Sequence, residues 1–116
     1  MKNILIVEDD QSQQMLYKEE FSDLGYEIRL ASNGAEALGK VQQLRPDLVI
    51  MDIRMPGMSG LETLRKMLND DPNVPIIINS AYSHYKDDFM SWAAEAYVVK
   101  SADLTELKNA VKKVLS

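Results

Sequence analysis

DLVIMDIRMPGMSG, at residues 47–60, passes from a strand pattern directly into a turn. Its apolar part, residues 48–51, is short and continuous, which is typical of a buried β-strand. Asp52 ends this run, and the Pro and Gly residues beyond it favour a loop. Because the strand would hold the carboxylate from behind and the loop would leave it accessible in front, Asp52 is the first candidate functional residue.

Three other largely apolar runs also end in polar side chains. They are residues 4–7, followed by Glu8 and Asp9; residues 76–79, followed by Ser80; and residues 97–99, followed by Lys100. Open sheets of parallel strands bind their ligands at the edge formed by the carboxyl ends of the strands. We therefore expect these acids, the hydroxyl group and the amine to gather around Asp52 in one site.

Helical periodicity fills the segments between the apolar runs. The pattern predicts strands at about residues 3–7, 26–31, 47–51, 75–79 and 96–99, and helices at about 11–24, 34–45, 59–69, 85–94 and from 104 onwards. The expected helix ends are N-caps at Asp10, Asn33 and Asp103, the last in a capping box with Glu106, and a stop at Gly25. The sequence thus alternates five strands with five helices.

This alternation predicts an α/β fold, in which helices cover both faces of a five-stranded parallel sheet. The second strand is followed by residues 31–33, which offer neither a carboxylate nor a cation and therefore fit an edge strand. The flavodoxin-like, doubly wound strand order 2-1-3-4-5 meets this requirement. A chain of 116 residues fits a single domain, residues 1–116.

The composition argues against several classes of function. The net charge of −5, from 18 acidic and 13 basic residues, disfavours direct contact with nucleic acid. Cysteine is absent, which removes disulfides, thiol catalysis and cysteine-based metal sites. No apolar run reaches the length of a membrane span, and the first residues lead into a strand. We therefore expect a cytoplasmic protein with no membrane partner.

Convergence of Glu8, Asp9 and Asp52 would require a cation, because neighbouring carboxylates raise one another's pKa. Mg²⁺ fits best, since it typically takes one or two carboxylates together with waters and phosphate oxygens. Phosphoryl transfer needs positioning and neutralisation of charge of this kind. Asp52 would be the nucleophile that forms an aspartyl phosphate, while Lys100 and Ser80 would contact phosphoryl oxygens. Asp10 is assigned to helix capping.

Five segments, in their order and spacing, carry a resemblance to a known family. They are ILIVED at residues 4–9, RPDLVIMD at 45–52, MPGMSG at 55–60, SA at 80–81 and YVVK at 97–100. Together they are similar to the receiver domains of two-component response regulators, over essentially the whole chain. The resemblance implies a phosphoacceptor signalling domain that catalyses only its own phosphorylation and dephosphorylation.

The resemblance also implies roles for individual residues and partners. Asp52 would accept a phosphoryl group from the phosphohistidine of a sensor histidine kinase or a histidine phosphotransfer protein, which would dock on the first helix and the loop after the fifth strand. The backbone carbonyl of Arg54 would complete the Mg²⁺ site. Ser80 and Tyr97 would form a switch pair that signals to an effector domain or output protein. A homodimer could form through the last two helices and the fifth strand.

Two positions depart from the pattern of the family. Ser101 follows Lys100, where receivers usually carry a proline after a cis peptide bond. Because a nonproline cis bond costs roughly 2.5–4 kcal/mol, the sequence favours a trans bond here, with the lysine aimed differently. Ala93 also replaces a glycine that is common before the fifth strand. Both departures affect the output side of the domain and leave the phosphorylation groups in place.

Arg54 and Tyr82 lie two residues beyond Asp52 and Ser80, at positions that flank the phosphoryl group in receivers. Our hypothesis is that their bulk restricts the hydrolytic water and gives a long-lived phosphoryl group. The ordinary alternative is an exposed arginine and a tyrosine packed on a loop.

Three other classes of protein share parts of this pattern. An aspartyl phosphatase of the haloacid dehalogenase type would need a second acid two residues after the nucleophile, where Arg54 stands. A flavodoxin-like flavin carrier would need a phosphate-binding loop after the first strand, where residues 8–10 are acidic. A silent interaction domain would lack part of the site, whereas every phosphorylation group is present here.

Overall fold

Five parallel strands form one sheet in this computed structural model, which describes residues 1–53, 60–82 and 94–116. The strands are β1 (Asn3–Val7), β2 (Glu27–Ala31), β3 (Leu48–Met51), β4 (Ile76–Ser80) and β5 (Ala96–Val99). Their spatial order is β2-β1-β3-β4-β5, and every neighbouring pair is parallel. The predicted strand order and fold class are therefore confirmed, with β2 at one edge of the sheet.

Four helices are present in the described parts of the chain. They are α1 (Gln11–Asp23), α2 (Gly34–Gln43), α3 (Gly60–Asp70) and α4 (Thr105–Leu115). The helix predicted at about residues 85–94, and with it the turn expected at Ala93, lies outside the described residues. Among the helices that are described, none has both the length and the apolar character that crossing a bilayer requires.

The ends of α1 and α2 follow the local chemistry of the sequence. Asp10 Oδ1 accepts a hydrogen bond from the backbone N–H of Gln13 at 3.1 Å, and Asn33 Oδ1 accepts one from Glu36 at 2.8 Å. These bonds satisfy N–H groups that lack a partner within the helix, so both predicted N-caps are confirmed. Gly25 follows α1 with φ = 93°, a left-handed conformation that favours glycine, as predicted for the stop.

The predicted capping box at the last helix is wrong. Leu104 occupies the N-cap position, and no side chain caps the helix through it. Asp103 instead accepts a hydrogen bond from the backbone N–H of Thr105 at 2.9 Å, which is an Asx turn one residue earlier than the expected bond to Glu106. Leu104 is 8% exposed, so burial of its side chain fixes where the helix begins.

Alternate strand residues fill two separate cores, one on each face of the sheet. On the first face, α1 and α4 cover Ile4, Ile6, Leu48, Ile50, Ile77 and Val98. On the second face, α2 and α3 cover Leu5, Val7, Val49, Met51, Ile76 and Ile78. Burial on both sides explains why the strands read as continuous apolar runs. Because successive side chains along a strand point to opposite faces, each residue at the carboxyl edge of the sheet also lies on one of the two faces.

Candidate functional site

The register of the sheet places Glu8 and Asp52 next to each other at its carboxyl edge. Val7 pairs with Met51, so the residues that follow them are the next neighbours on adjacent strands. The Asp52 backbone N–H donates to the Val7 carbonyl at 3.0 Å, which extends the hydrogen-bond ladder beyond the strand. Both side chains lie on the face covered by α1 and α4. Glu8 is 1% exposed and Asp52 is 9% exposed, so the two carboxylates are largely removed from water.

Lys100 provides a positive charge for both of these carboxylates. Its Nζ lies 2.6 Å from Glu8 Oε1 and 2.9 Å from Asp52 Oδ2. The described residues contain no cis peptide bond, so the Lys100–Ser101 bond is trans, as the sequence favours. The expectation that the lysine would therefore point elsewhere is wrong, because its long side chain reaches the acids from a trans backbone. The Lys100 N–H also donates to the Ser80 carbonyl at 2.7 Å, which fixes its backbone on β4.

Burial and charge together shift the protonation of this group. Burial raises the pKa of Glu8 to about 7; the neighbouring Asp52 carboxylate adds to the increase, and Lys100 opposes it. Burial alone would lower the pKa of Lys100, but its hydrogen bonds to the two carboxylates raise the pKa above its ordinary value. The lysine therefore stays charged at neutral pH, whereas Glu8 is balanced between its two forms.

Three carboxylates form a donor set that suits a hard divalent cation. Glu8, Asp9 and Asp52 each offer an oxygen atom, and these atoms lie within 4.8 Å of one another. Asp9 is exposed, which leaves one side open to solvent. Glu8 Oε2 is buried and has no hydrogen-bond partner among the described residues, an arrangement that is costly unless a ligand completes it. Oxygen donors with an open side fit Mg²⁺. Arg54, the predicted fourth contributor, lies outside the described residues.

Ser80 and Tyr97, the predicted switch residues, both contact Tyr82. Ser80 is the last residue of β4 and is fully buried, and its Oγ accepts a hydrogen bond from the Tyr82 backbone N–H at 3.1 Å. The Tyr97 hydroxyl donates to the Tyr82 carbonyl, and its side chain is 6% exposed. Tyr82 itself is 37% exposed. The loop after β4 therefore connects the two residues in this conformation.

Two buried polar residues beside the site were not predicted. The Asn79 amide nitrogen donates to the Tyr17 hydroxyl at 3.0 Å, and each residue is 3% exposed. Both line the same narrow crevice as Glu8, Asp52 and Lys100. Two sequence signals point to them. Asn79 takes the inward position two residues after Ile77 in β4, and Tyr17 lies one helical turn before Phe21 on the buried side of α1.

Comparisons with known proteins agree with this geometry. The sequence model of the family described as "Response regulator receiver domain" matches residues 4–112. Sporulation initiation phosphotransferase F of Bacillus subtilis (strain 168) is 38% identical over 116 residues, which cover 98% of this chain and 94% of that protein. The match therefore extends over almost the full length of both proteins.

Two solved structures are also similar to this chain. Response regulator protein TrrA from Thermotoga maritima, crystallised in complex with Mg²⁺-BeF, has a TM-score of 0.94 and 50% identity, with coverage of 99% of this chain and 100% of that one. TrrA in complex with histidine kinase ThkA has a TM-score of 0.91 and 51% identity, with full coverage of both chains (100% each). The resemblance drawn from the sequence is thereby confirmed. This chain belongs to the family of response regulator receiver domains, which are signalling domains of two-component systems and not classical enzymes.

Proposed function

We propose that this receiver domain accepts a phosphoryl group on Asp52 in a Mg²⁺-dependent reaction and transmits it as a change in its surface. The observation that carries the proposal is the position of the Lys100 ammonium, 2.9 Å from Asp52 Oδ2, beside three carboxylates whose oxygens lie within 4.8 Å of one another. A nucleophilic carboxylate, a cation site and a fixed ammonium are the groups that phosphoryl transfer to an aspartate requires.

In the proposed reaction, an Asp52 carboxylate oxygen attacks the phosphorus of a phosphohistidine. A new O–P bond forms while the P–N bond breaks, and the histidine nitrogen keeps the electron pair. Lys100 then pairs with a phosphoryl oxygen, which its flexible side chain allows. Glu8, Asp9, Asp52 and the backbone carbonyl of Arg54 would hold Mg²⁺, which would supply neutralisation of negative charge.

The switch in this proposal begins at Ser80. Its hydroxyl oxygen now accepts the Tyr82 N–H at 3.1 Å, while its own proton is available for a phosphoryl oxygen. A phosphoryl group adds about −1.5 to −2 charges and new acceptor oxygens, so it would draw this hydroxyl toward Asp52. Movement of Ser80 would carry the loop at Tyr82, to which the Tyr97 hydroxyl is bound. The Tyr97 side chain would then shift from its present position, and the surface around it would change.

The proposed phosphate donor is a sensor histidine kinase or a histidine phosphotransfer protein that docks on α1 and the loop after β5. The exposed apolar side chains of Met15 (64%) and Leu16 (39%) on α1 support this surface. The solved complex of the similar protein TrrA with a histidine kinase supports the class of partner. The cytoplasmic location, the single-domain organisation of residues 1–116, the effector domain or output protein and the homodimer stay predictions.

Incubation with acetyl phosphate and Mg²⁺ tests the proposal. Intact-mass analysis should show one stable phosphoryl group per chain, which is lost when EDTA replaces Mg²⁺ and is absent in Asp52→Asn. The asparagine variant is a close match in shape, so circular dichroism should show an unchanged fold. Rapid release of inorganic phosphate without accumulation would favour an aspartyl phosphatase. Absence of labelling in the folded, Mg²⁺-loaded protein would favour a silent interaction domain.

A further inference from the structure

We propose that Asn79 and Tyr17 form a positioning pair for Lys100, which keeps the lysine ammonium on the carboxylate of Asp52. The inference rests on the proposed phosphorylation of Asp52 and adds two residues of this chain to that site. Neither residue would touch the phosphoryl group, and both would act through the lysine.

The register of the sheet places Asn79 directly beside Asp52. Met51 pairs with Ile78 across β3 and β4, so Asp52 and Asn79 are the next neighbours, on strands about 4.8 Å apart. Alternation puts Asn79 on the face of Ile77, which is covered by α1 and α4. Asp52 is on the same face, in line with Ile50. The row across the sheet therefore runs from Glu8 through Asp52 to Asn79.

Lys100 reaches this row from the far side of Asn79. Asn79 pairs with Val98 on β5, and Lys100 is two residues beyond Val98, so it projects from the same face one step further along the strand. Its ammonium nevertheless lies 2.9 Å from Asp52, which is two strands away from β5. The lysine side chain therefore crosses β4 on the same face as Asn79, and both residues line one crevice.

Tyr17 fixes the orientation of the Asn79 side chain. The hydrogen bond from Asn79 Nδ2 to the Tyr17 hydroxyl, 3.0 Å long, holds the amide plane toward α1. The same narrow crevice is lined by the pair and by the charged groups, which places the bond beside the lysine. Without Tyr17, the amide could rotate and donate to Asp52, in competition with the lysine. Because Asn79 and Tyr17 are both buried, their dipoles are screened less than those of exposed groups.

The pair is poorly explained by stability alone. A buried hydrogen bond contributes little net free energy, because both groups give up their bonds to water when they are buried. Leucine and phenylalanine would fill the same space without that cost. Asn79 lies in the same row as Asp52 and is hydrogen-bonded to Tyr17. A role in orienting Lys100 explains this buried polar pair better than stability does.

NMR of the lysine ammonium group in the metal-free protein tests the inference directly. An ammonium bound to two buried carboxylates exchanges its protons slowly, so Lys100 should give a ¹H–¹⁵N signal that is assigned by its loss in Lys100→Met. We expect this signal to broaden or disappear in Tyr17→Phe and in Asn79→Leu. Tyr26→Phe, which also removes one hydroxyl group from the α1 side of the sheet, is the matched control and should keep the signal.

Kinetics provide the second measurement. With acetyl phosphate at saturating Mg²⁺, each variant of the pair should be phosphorylated more slowly, by up to about 100-fold, the loss that a displacement of about 1 Å in a positioned group can cause. The double variant should be no slower than the slower single variant, because both residues act through the same lysine.

Either of two results would overturn the inference: an unchanged Lys100 signal in both folded variants, or no such signal in the unchanged protein. If Asn79→Leu fails to fold by circular dichroism, Tyr17→Phe decides alone. Failure of the unchanged protein to label, with the variant-dependent NMR signal intact, would refute the proposed phosphorylation while leaving the positioning of Lys100 established.

Discussion

Substitution of Gly60 by alanine should destabilise the protein, because the added methyl group has no space. Gly60 is the first residue of α3, and an ideal Cβ there would lie 2.4 Å from the Cα of Ile53 and 3.0 Å from its carbonyl carbon and oxygen. Real Cβ atoms essentially never come within 3.0 Å of a neighbour of this kind. Because the neighbour is backbone, no side-chain rotation relieves the clash, and the chain next to Asp52 must move.

The expected loss follows from two opposing terms. Overpacking of a well-packed site typically costs about 1–3 kcal/mol. Alanine in a helix interior returns up to about 1 kcal/mol relative to glycine, and less at the first position of a helix. The shift would also weaken the hydrogen bond from the Gly60 N–H to the Ile53 carbonyl, which is 3.1 Å long. We therefore expect a net loss of about 1–2 kcal/mol in the free energy of unfolding.

Urea denaturation measures this loss, and Gly39→Ala is its matched control. Gly39 lies in α2, and a Cβ built on it meets nothing within 4 Å, so the same substitution should stabilise by about 0.5–1 kcal/mol. Because Ile53 follows Asp52, Gly60→Ala should also weaken Mg²⁺ binding, whereas Gly39→Ala should leave it unchanged. If Gly60→Ala proved as stable as the unchanged protein while Gly39→Ala showed its gain, the argument from close approach would be refuted.

Three further predictions concern the charged site and its rim. Lys100→Met leaves two buried carboxylates without their cation, so the free energy of unfolding in EDTA should fall by about 3 kcal/mol, and Mg²⁺ should restore most of it in urea titrations. Mg²⁺ affinity, measured by calorimetry, should fall about tenfold per pH unit below pH 7 and level off above it, because the metal binds ionised Glu8, whose pKa is about 7. Tyr82→Ala combined with Arg54→Ala should speed acyl-phosphate decay several-fold, because a smaller rim admits the hydrolytic water.

Each of these predictions has an outcome that contradicts it. Equal stability of Lys100→Met and the unchanged protein in EDTA would show that the ion pairs contribute nothing. A Mg²⁺ affinity that stays constant from about pH 5.5 to 7 would contradict the raised pKa of Glu8. Unchanged or slower phosphoryl loss in the double variant would refute shielding by Tyr82 and Arg54.

The acids and the lysine could be predicted because the topology follows from local patterns. Once alternating strands and helices specify a parallel sheet, the residue after each apolar run must lie at one edge, whatever the distance along the chain. That reasoning brought together Glu8, Asp52 and Lys100. It does not give the direction of a long side chain. One trans peptide bond does not determine where Lys100 points, because attraction to two carboxylates directs its side chain.

Residues whose role depends on packing between distant elements could not be predicted in the same way. Asn79 and Tyr17 are 62 positions apart, and only the placement of α1 over the sheet brings them into contact. Asp103 shows that a local pattern can also mislead. Its spacing to Glu106 suits a capping box, yet burial of Leu104 moves the start of the helix by one residue. Tertiary packing therefore decides details that local spacing leaves open.

Charge balance explains why the proposed reaction should depend on Mg²⁺. Three carboxylates, those of Glu8, Asp9 and Asp52, face one ammonium, so two negative charges are uncompensated when all four groups are ionised. One divalent cation supplies the missing charge. Burial, with a smaller contribution from Asp52, raises the pKa of Glu8 to about 7, which favours its protonated form relative to an exposed carboxyl. An incoming phosphoryl group would bring more negative charge, which the Lys100 ammonium beside Asp52 would help to offset. Glu8, Asp9 and Asp52 would therefore hold a divalent cation that offsets the charge which one ammonium leaves uncompensated.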